Sequence, residues 1–488
     1  MEHEAYANFL QDYPVYLETA VLDELRASDY NRLDHQQHTY LDYTGAGLYG
    51  RSQVQQHTEL LNERILGNPH SAGLSSSAAT SLVETTRKHV LAYFGAPEGE
   101  YTAVFTANAS GALKHVGECY PFSRGRFLLT ADNHNSVNGI REFALAKGAS
   151  VEYAPLTVPD LRIDKDRLET LLDHAEPGHS NLFAFPAQSN YSGVRHPLDL
   201  IGRAHDKGWD VLLDAAAFVP TNRLDLSAVQ PEFVSVSFYK MFGYPTGVGC
   251  LLVRRSAMAK LKRPWFAGGT VNFASVEGRT HILAPGEAGF EDGTLNFLSI
   301  PAVDSGLSLI ETIGIETIRT RVSCLTGWLL KNLMALQHGN GRHMVRIYGP
   351  VTTASRGGSI TMNFYDPDGH LVDYRRIEEL ASAARISIRT GCFCNPGAGE
   401  AAEGLTADDM RAAAAEPAGM TLPRFLRFMQ QRGGKSAGAI RASLGIVSDF
   451  RDAYRFFRFA ADFRNQTKLT LGEVIFDVDS CRVVRDGS

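Results

Sequence analysis

The chain has 488 residues, with 48 Lys and Arg against 54 Asp and Glu, which gives a formal net charge of −6. This balance excludes a protein built to coat nucleic acid or an anionic membrane surface, because there is neither a basic excess nor a long Lys/Arg block. Hydrophobic residues make up 44% of the chain without any uncharged apolar run of about 18 residues, so we expect two or three folded domains and no membrane span.

Residues 1–38 are predicted to form an N-terminal helical arm. Apolar residues recur at helical spacing in the run VYLETAVLDELRASDYNRL, which Pro14 precedes. The N-terminus is acidic and lacks the apolar segment of a signal peptide. The six cysteines of the chain form no disulfide framework at this length. Together these features predict a cytoplasmic protein.

Residues 39–300 are predicted to form a large α/β domain. Short apolar runs alternate there with helical stretches, which is typical of a mostly parallel, seven-stranded sheet with helices on both faces. The predicted strands are YTAVFTA, GRFLLTA, SVEYAPL, NLFAFPAQ, WDVLLDAAAF, FVSVSFY and VGCLLVR.

Residues 301–488 are predicted to form a smaller α+β domain. A long helical stretch follows Pro301, and strand, helix and strand patterns follow in GSITMNFYD, DYRRIEELASAA and ISIRTG. The Gly- and Ala-rich residues 396–439 predict a partly helical insertion, and the tail GEVIFDVDSCRVVRDGS predicts one edge strand.

Two predicted strands end in residues with coenzyme chemistry. Lys240 follows FVSVSFY, and a lysine at the mouth of a parallel sheet is well placed to form a Schiff base, since desolvation lowers the pKa of its amine. Asp214 ends WDVLLD, where a carboxylate suits the protonated ring nitrogen of pyridoxal phosphate (PLP). The simpler alternatives are a surface lysine and a helix N-cap aspartate.

A turn and a loop offer further cofactor contacts. The segment FTANASGALKHVGE predicts a strand, a turn of small residues and a helix N-terminus, whose N–H groups and Ser110 hydroxyl can bind a phosphate. A capped helix without a ligand would show the same pattern. His134 follows another predicted strand and could stack on a pyridine ring or be a polar loop residue.

The run ISIRTGCFCNPGAG predicts a strand and a Gly-bracketed loop that carries Cys392 and Cys394. An accessible loop thiol is reactive when its pKa is lowered. Zinc binding is disfavoured because the chain has no second cysteine pair, so no metal is expected. Arg389 in this strand and Arg441 in GAIRASLG can each bind a carboxylate through two hydrogen bonds.

In this order the motifs resemble those of fold-type I PLP enzymes of the class-V aminotransferase and cysteine desulfurase superfamily. The similarity is greatest to the desulfurase portion of molybdenum cofactor sulfurases and runs from LDYTGAGLYG to about residue 465. The segments that carry it are NPHS, PAQSNYSG, LLDAAAF, SFYKMFGYPTGVG, FEDGTLNFL, RTGCFCNPGA and GKSAGAIRASLG.

The resemblance implies a role for each candidate residue. Lys240 would hold PLP as a Schiff base, Asp214 would face the ring nitrogen, and His134 would stack on the ring as a catalytic residue. The other implied contacts are Ser110, Gly111 and Ser237 at the phosphate, Asn190 at the ring oxygen, Gly293 and Thr294 at the phosphate of the other subunit in a homodimer, Arg389 and Arg441 at the substrate carboxylate, and Cys394 as the persulfide-forming thiol.

The implied reaction is desulfuration of L-cysteine, in which Lys240 moves the Cα proton, Cys394 takes the sulfur as a persulfide, and L-alanine leaves. Ala217 and Tyr239 replace a glutamine and a histidine found in many cysteine desulfurases, as they do in the sulfurase branch. Sulfurases continue into a C-terminal cofactor-binding domain, for which we expect no room in the roughly 20 residues after the last predicted helix. We therefore expect a partner protein to accept the sulfur.

Three alternatives remain open. An aminotransferase, β-lyase or decarboxylase could use the same lysine on a cysteine-like amino acid. A non-catalytic scaffold would be expected to lose Lys240 or Asp214, and both are present. A redox or zinc protein could be built on Cys392 and Cys394. Formation of alanine and sulfide would indicate the desulfurase, and formation of pyruvate and ammonia would indicate a lyase. Metal analysis would detect zinc.

Overall fold

A computed structural model describes residues 2–69, 71–416 and 438–466, isolated residues between 420 and 436, and the strands Val474–Asp477 and Arg482–Arg485. Most of the second half of the predicted insertion at 396–439, and His70 of the NPHS run, lie outside the described residues. Within the described first half of that insertion, two helices confirm the helical prediction: α16 (Pro396–Glu403) and α17 (Ala407–Ala414).

A seven-stranded sheet forms the centre of the fold, with the strand order β2-β10-β9-β8-β7-β3-β4. Its strands are the seven predicted ones, and only β10 runs antiparallel to its neighbours, so the prediction of a mostly parallel α/β sheet is confirmed. The strands are β2 (Tyr101–Thr106), β3 (Arg126–Thr130), β4 (Ser150–Ala154), β7 (Leu182–Pro186), β8 (Asp210–Asp214), β9 (Phe233–Ser237) and β10 (Gly249–Arg254).

The central strands are continuously apolar because both of their faces are buried. In β7, Phe183 and Phe185 belong to one core, whereas Leu182 and Ala184 belong to the core on the opposite face. Such two-sided burial is typical of parallel sheets covered by helices. The helices of this region are α4 (Arg51–Glu63), α5 (Leu74–Tyr93), α6 (Ala109–Cys119), α7 (Asn135–Asn138), α8 (Ile140–Ala146), α9 (Lys165–Leu172), α10 (Leu200–Asp206), α11 (Phe238–Phe242) and α12 (Arg255–Met258).

The described part of the C-terminal region contains a four-stranded antiparallel sheet of order β13-β14-β17-β16 and four helices of 10 to 20 residues. Gly314, with φ +85°, separates the first two helices, since this conformation is open to glycine without strain. The elements are α13 (Pro301–Ile313), α14 (Ile315–Met334), β13 (Val345–Tyr348), β14 (Ser359–Phe364), α15 (Tyr374–Ala383), β15 (Ile386–Ser387), β16 (Arg389–Gly391), β17 (Ala439–Ser443) and α18 (Phe450–Ala461).

Among the described residues, eight short strands form two-stranded pairs outside these two sheets. β5 (Leu156–Thr157) pairs with β6 (Arg162–Ile163), and β11 (Val271–Ser275) pairs with β12 (Thr280–Leu283). The prediction of a single edge strand in the tail is wrong, because β18 (Val474–Asp477) and β19 (Arg482–Arg485) form an antiparallel pair. The polar residues Asp479 and Ser480 interrupt the apolar run between them.

The N-terminal arm packs on the helices of the C-terminal region. The Phe9 and Phe450 rings lie 4.8 Å apart, and the buried Arg321 of α14 forms an ion pair with Asp23 at 2.6 Å. Strand β1 (Thr39–Tyr40) then pairs in parallel with β15. The predicted boundaries at 38 and 300 remain predictions. The arm comprises α1 (Glu2–Asp12), a 3₁₀ helix (Pro14–Thr19), α2 (Val21–Asp29) and α3 (Arg32–His35).

Among the described helices, none combines the length and the apolar character needed to cross a membrane.

Candidate active site

A cavity of about 480 Å³ opens at the carboxyl ends of the parallel strands, beside the N-terminus of α6. Ligands of open α/β sheets commonly bind at this edge. The cavity brings together six predicted residues: Ser110, His134, Asn190, Asp214, Ser237 and Lys240. It is also lined by Ser136, Gln188 and Thr246, which the sequence analysis did not single out.

Lys240 lies in α11, directly after β9. Burial lowers the pKa of its amine, although the nearby Asp214 carboxylate acts in the opposite direction. A lowered pKa increases the fraction of free amine, which is the nucleophilic form. The position therefore suits a lysine that attacks a carbonyl group.

Asp214 ends β8 and is 8% exposed. Its Oδ1 accepts hydrogen bonds from the Ser235 hydroxyl at 3.0 Å and from the Ala216 N–H at 3.1 Å. These two donors fix the orientation of the carboxylate at the cavity wall. A fixed anion at this place can hold a proton on a ring nitrogen that faces it.

The turn before α6 forms the hydroxyl-rich end of the cavity. The Asn108 side chain caps the helix by accepting from the Gly111 N–H at 3.0 Å, and the Ser110 and Ser136 hydroxyls lie 2.6 Å apart. Gly249 in β10 allows the close approach of this turn, since a Cβ there would lie 2.4 Å from the Asn108 backbone. Gly111 does not line the cavity and its N–H is already bonded, so its predicted phosphate contact remains a prediction.

His134 forms part of the cavity wall. Its Nδ1 accepts from the Ser136 N–H at 3.1 Å and lies at the same distance from the Ser136 hydroxyl. Burial lowers the pKa of His134, with Asp214 acting in the opposite direction. Both observations favour a neutral imidazole with its proton on Nε2, which suits stacking on a ring.

The cysteine loop is attached to the cavity rim by three hydrogen bonds. The Asn135 N–H donates to the Cys394 carbonyl at 2.7 Å, the Asn190 amide donates to the Phe393 carbonyl at 2.7 Å, and the Asn395 amide donates to Asn190 Oδ1 at 2.8 Å. The Asn190 amide therefore contacts the loop in addition to lining the cavity. Asn395 was missed because nothing in its sequence neighbourhood indicates this long-range contact.

The backbone of this loop is strained at Phe393 and Cys394. Phe393 and Cys394 are consecutive non-glycine residues with φ +54°. Such conformations persist where surrounding contacts hold them, and they are frequent at functional sites. Cys394 is exposed and Cys392 is half-buried, so Cys394 is the more accessible thiol, although neither lines the cavity.

The two predicted carboxylate-binding arginines are neighbours across β16 and β17, where Arg389 is paired with Arg441. Both bind Asp42, which the sequence analysis missed; the Arg441 contact measures 3.2 Å. Arg441 also donates to the Asn190 carbonyl at 2.8 Å, and its guanidinium lies 4.8 Å from the centre of the Phe393 ring. Burial lowers the pKa of Arg441 to about 10, with Asp42 opposing this effect.

Gly293 and Thr294 do not line the cavity of their own chain. The Thr294 hydroxyl accepts a hydrogen bond from the Asn68 amide at 3.3 Å. Their predicted contact with the phosphate of another subunit therefore remains a prediction.

The donors around the cavity match the groups of PLP. Hydroxyls and a helix N-terminus at one end suit a phosphate, the Asp214 carboxylate suits a ring nitrogen, and the Lys240 amine suits an aldehyde. The close approach at Gly249 keeps the helix N-terminus at the cavity. Among the described residues, one group of three could hold a metal ion, Asp366, Asp368 and His370, and it contains neither loop cysteine.

Comparisons with known proteins agree with this arrangement. The profile of the family "Aminotransferase class-V" matches residues 39–456. The molybdenum cofactor sulfurase of Solanum lycopersicum is 36% identical over 469 residues, which are 90% of this chain and 56% of that protein. For the Homo sapiens molybdenum cofactor sulfurase the identity is 36% over 466 residues, 91% of this chain and 51% of that one. The chain thus spans little more than half the length of these relatives.

Solved structures show the same fold. A cysteine desulfurase from Thermococcus onnurineus NA1 has a TM-score of 0.73 at 23% identity, covering 90% of this chain and 97% of that one. The Escherichia coli cysteine desulfurase CsdA has a TM-score of 0.68 at 19% identity, covering 91% and 98%. The predicted fold-type I architecture is confirmed, and the chain belongs to the class-V aminotransferase family.

Proposed function

We propose that the protein is a PLP-dependent cysteine desulfurase, which takes sulfur from L-cysteine as a persulfide on Cys394 and releases L-alanine. One observation carries the proposal: a strained loop with an exposed thiol is hydrogen-bonded, through its backbone carbonyls, to the rim of a cavity that contains Lys240 and Asp214. The molybdenum cofactor sulfurase relatives and the cysteine desulfurase folds support the same reaction class.

In this proposal PLP supplies an electron sink that acidifies the Cα–H bond of the substrate. Lys240 would hold the coenzyme and, as the free amine, would carry the Cα proton. Asp214, oriented by Ser235 and Ala216, would keep the ring nitrogen protonated. His134, whose pKa burial lowers, would contact the ring as a neutral imidazole.

Arg441 binds the substrate carboxylate and so fixes the direction of the Cα–H bond, with Arg389 assisting from the more exposed side. The Cys394 thiolate attacks the substrate sulfur, so that an S–S bond forms as the C–S bond breaks. The bonding electrons remain with the three-carbon unit, which is protonated and leaves as L-alanine. The persulfide then passes to a sulfur acceptor.

The decisive experiment compares Cys394→Ser with Cys392→Ser in the PLP-loaded enzyme. We expect Cys394→Ser to retain the coenzyme absorption but to lose persulfide formation and sulfide release. Cys392→Ser should retain the absorption, persulfide formation and sulfide release. Normal sulfide release by Cys394→Ser would contradict the persulfide assignment. Pyruvate and ammonia in place of alanine would instead identify a lyase.

A homodimer is part of the proposal. Large apolar side chains are exposed around β11 and β12, where Val276 is 94% exposed. Ile65 and Leu74 are also exposed, and they flank Asn68, whose amide donates to the Thr294 hydroxyl. The other large apolar side chains exposed in and near these segments are Trp265, Phe266, Phe273, Ile282 and Leu298. We propose that they form the dimer interface, since exposed apolar patches are typical of interfaces. Sedimentation of the holoenzyme should give twice the mass of the chain, and a monomer would contradict this.

We also propose a cytoplasmic location and a protein as sulfur acceptor. The five cysteines of the described residues are all free thiols, which fits a reducing compartment. An exposed thiol on a loop is accessible to a partner's own thiol. Transfer of radiolabelled sulfur from the enzyme to a protein fraction of the source cells would test the acceptor, and retention of all label on the enzyme would contradict it.

A further inference from the structure

A second cavity, of about 280 Å³, lies between the N-terminal arm, α14 and the segment before β14. We call it the arginine cavity because Arg195, Arg319 and Arg356 line it. It shares no lining residue with the catalytic cavity. Five residues with hydroxyl side chains also line it: Thr221, Thr320, Ser323, Thr326 and Thr353.

Arg356 is a buried cation without a carboxylate partner among the described residues. The residue is 4% exposed. Its guanidinium donates only to the carbonyls of Pro350 and Ser359, and its Nε has no partner. Burial lowers the pKa of Arg356 to about 9; the nearby Arg162 acts in the same direction, and Asp160 acts in the opposite one. A buried cation without a carboxylate in direct contact is costly, so an anion in this cavity would stabilise it.

Arg195 adds a second cation to the same cavity. Val194 forms a β-bridge with Arg356, and the Arg195 N–H donates to the Ser355 carbonyl at 2.9 Å, so the backbone holds both arginines together. The Arg195 guanidinium donates to Asn222 at 2.7 Å and has no ion pair among the residues that the structure describes. Burial lowers the pKa of Arg195, and Arg319 lowers it further.

The third arginine, Arg319, is paired with a carboxylate at the protein surface. Arg319 forms an ion pair with Glu316 one helical turn away, and both side chains are at least half exposed. Such exposed pairs contribute little and exchange readily with other anions. Arg319 can therefore turn towards a ligand in the cavity.

We propose that the arginine cavity binds a phosphate group, carried by inorganic phosphate or by a small phosphate ester. Guanidinium forks and hydroxyl donors are the groups that recognise phosphate oxygens. The cavity volume lies just below the range of about 300–1,000 Å³ for ligand sites, which limits the ligand to a small molecule.

The arginine cavity is connected to the catalytic cavity through one side chain. Asn222, which accepts from Arg195, has its own amide 3.4 Å from Gln188 Oε1. Gln188 lines the catalytic cavity. A ligand that reorients Arg195 would therefore act on a group two contacts from the coenzyme site.

The test uses the PLP-loaded enzyme, so that the phosphate site of the coenzyme is filled. Inorganic phosphate and glycerol 3-phosphate are titrated separately by calorimetry at constant ionic strength, with chloride as the balancing anion. We expect saturable binding of one equivalent of at least one of them per chain. Whichever anion binds more tightly identifies the source of the phosphate group.

Arg195→Gln and Arg319→Gln should each weaken this binding about tenfold, since each removes a charged hydrogen bond. Both positions are accessible enough to tolerate the change, whereas Arg356 is buried. The control is Arg203→Gln, which removes an equal charge from an arginine paired with Glu169 outside the cavity, and should leave binding unchanged. Absence of saturable binding of either anion, or equal weakening in the control, would overturn the proposal.

Discussion

The two arginines of the candidate active site should contribute unequally to substrate binding. Arg441 is 3% exposed, whereas the side chain of Arg389 is 52% exposed. A hydrogen bond between charged groups contributes about 1.5–3 kcal/mol when shielded, and an exposed ion pair about 0–1 kcal/mol. We therefore expect Arg441→Gln to raise the KM for L-cysteine about 10- to 150-fold, and Arg389→Gln about fivefold or less.

The assay is alanine formation by each holoenzyme variant as a function of L-cysteine concentration. A methyl ester of cysteine, which lacks the carboxylate, serves as the control substrate and should be affected much less by Arg441→Gln. Because Arg441 also binds Asp42, a melting curve of each variant checks that folding is intact. An Arg389→Gln effect equal to or larger than that of Arg441→Gln would refute this account of the site.

Two further substitutions test the packing near the cavity and the pH dependence of stability. Gly249→Ala should lower the free energy of unfolding by roughly 1–3 kcal/mol and weaken PLP binding, because the new Cβ would lie 2.4 Å from the Asn108 backbone. The matched control is Gly202→Ala, where a Cβ would meet no atom within 4 Å; equal melting temperatures of the two variants would contradict the reasoning. Burial raises the pKa of Glu403, at the end of α16, from 4.5 to about 7. Its favourable contribution to the free energy of unfolding is therefore present below pH 4.5 and is lost as the pH rises through 7. Between pH 5 and pH 8, the free energy of unfolding of Glu403→Gln, measured with urea, should rise by up to roughly 3 kcal/mol relative to that of the parent protein. Parallel pH profiles of the two proteins would contradict this.

The central sheet was predictable because burial on both faces leaves a strong local signal. Each strand is a short, almost uninterrupted apolar run, as in LFAFP and DVLLD. Lys240 and Asp214 could be placed for the same reason, since a polar residue at the end of such a run must lie at the edge of the sheet. Their presence in one cavity agrees with that inference.

The contacts around Arg389, Arg441 and the cysteine loop could not be predicted in this way. Asp42 and Arg441 are 399 positions apart in the chain, and a lone aspartate after a short strand carries no signal of such a partner. The conformation of Phe393 and Cys394 is held by hydrogen bonds from the Asn190 side chain and the Asn135 backbone N–H, in other segments, rather than by local sequence preference. Likewise, only the packing of β10 on the turn at Asn108 shows why position 249 must be glycine.

The central claim is that the Lys240 amine carries the coenzyme. The most direct measurement is peptide mass spectrometry of the protein after incubation with PLP and reduction with borohydride. We predict that the reduced coenzyme is found on the peptide that contains Lys240, and that Lys240→Ala abolishes both this adduct and the visible absorption. An unmodified Lys240 in coenzyme-saturated protein, or an adduct confined to other lysines, would contradict the account.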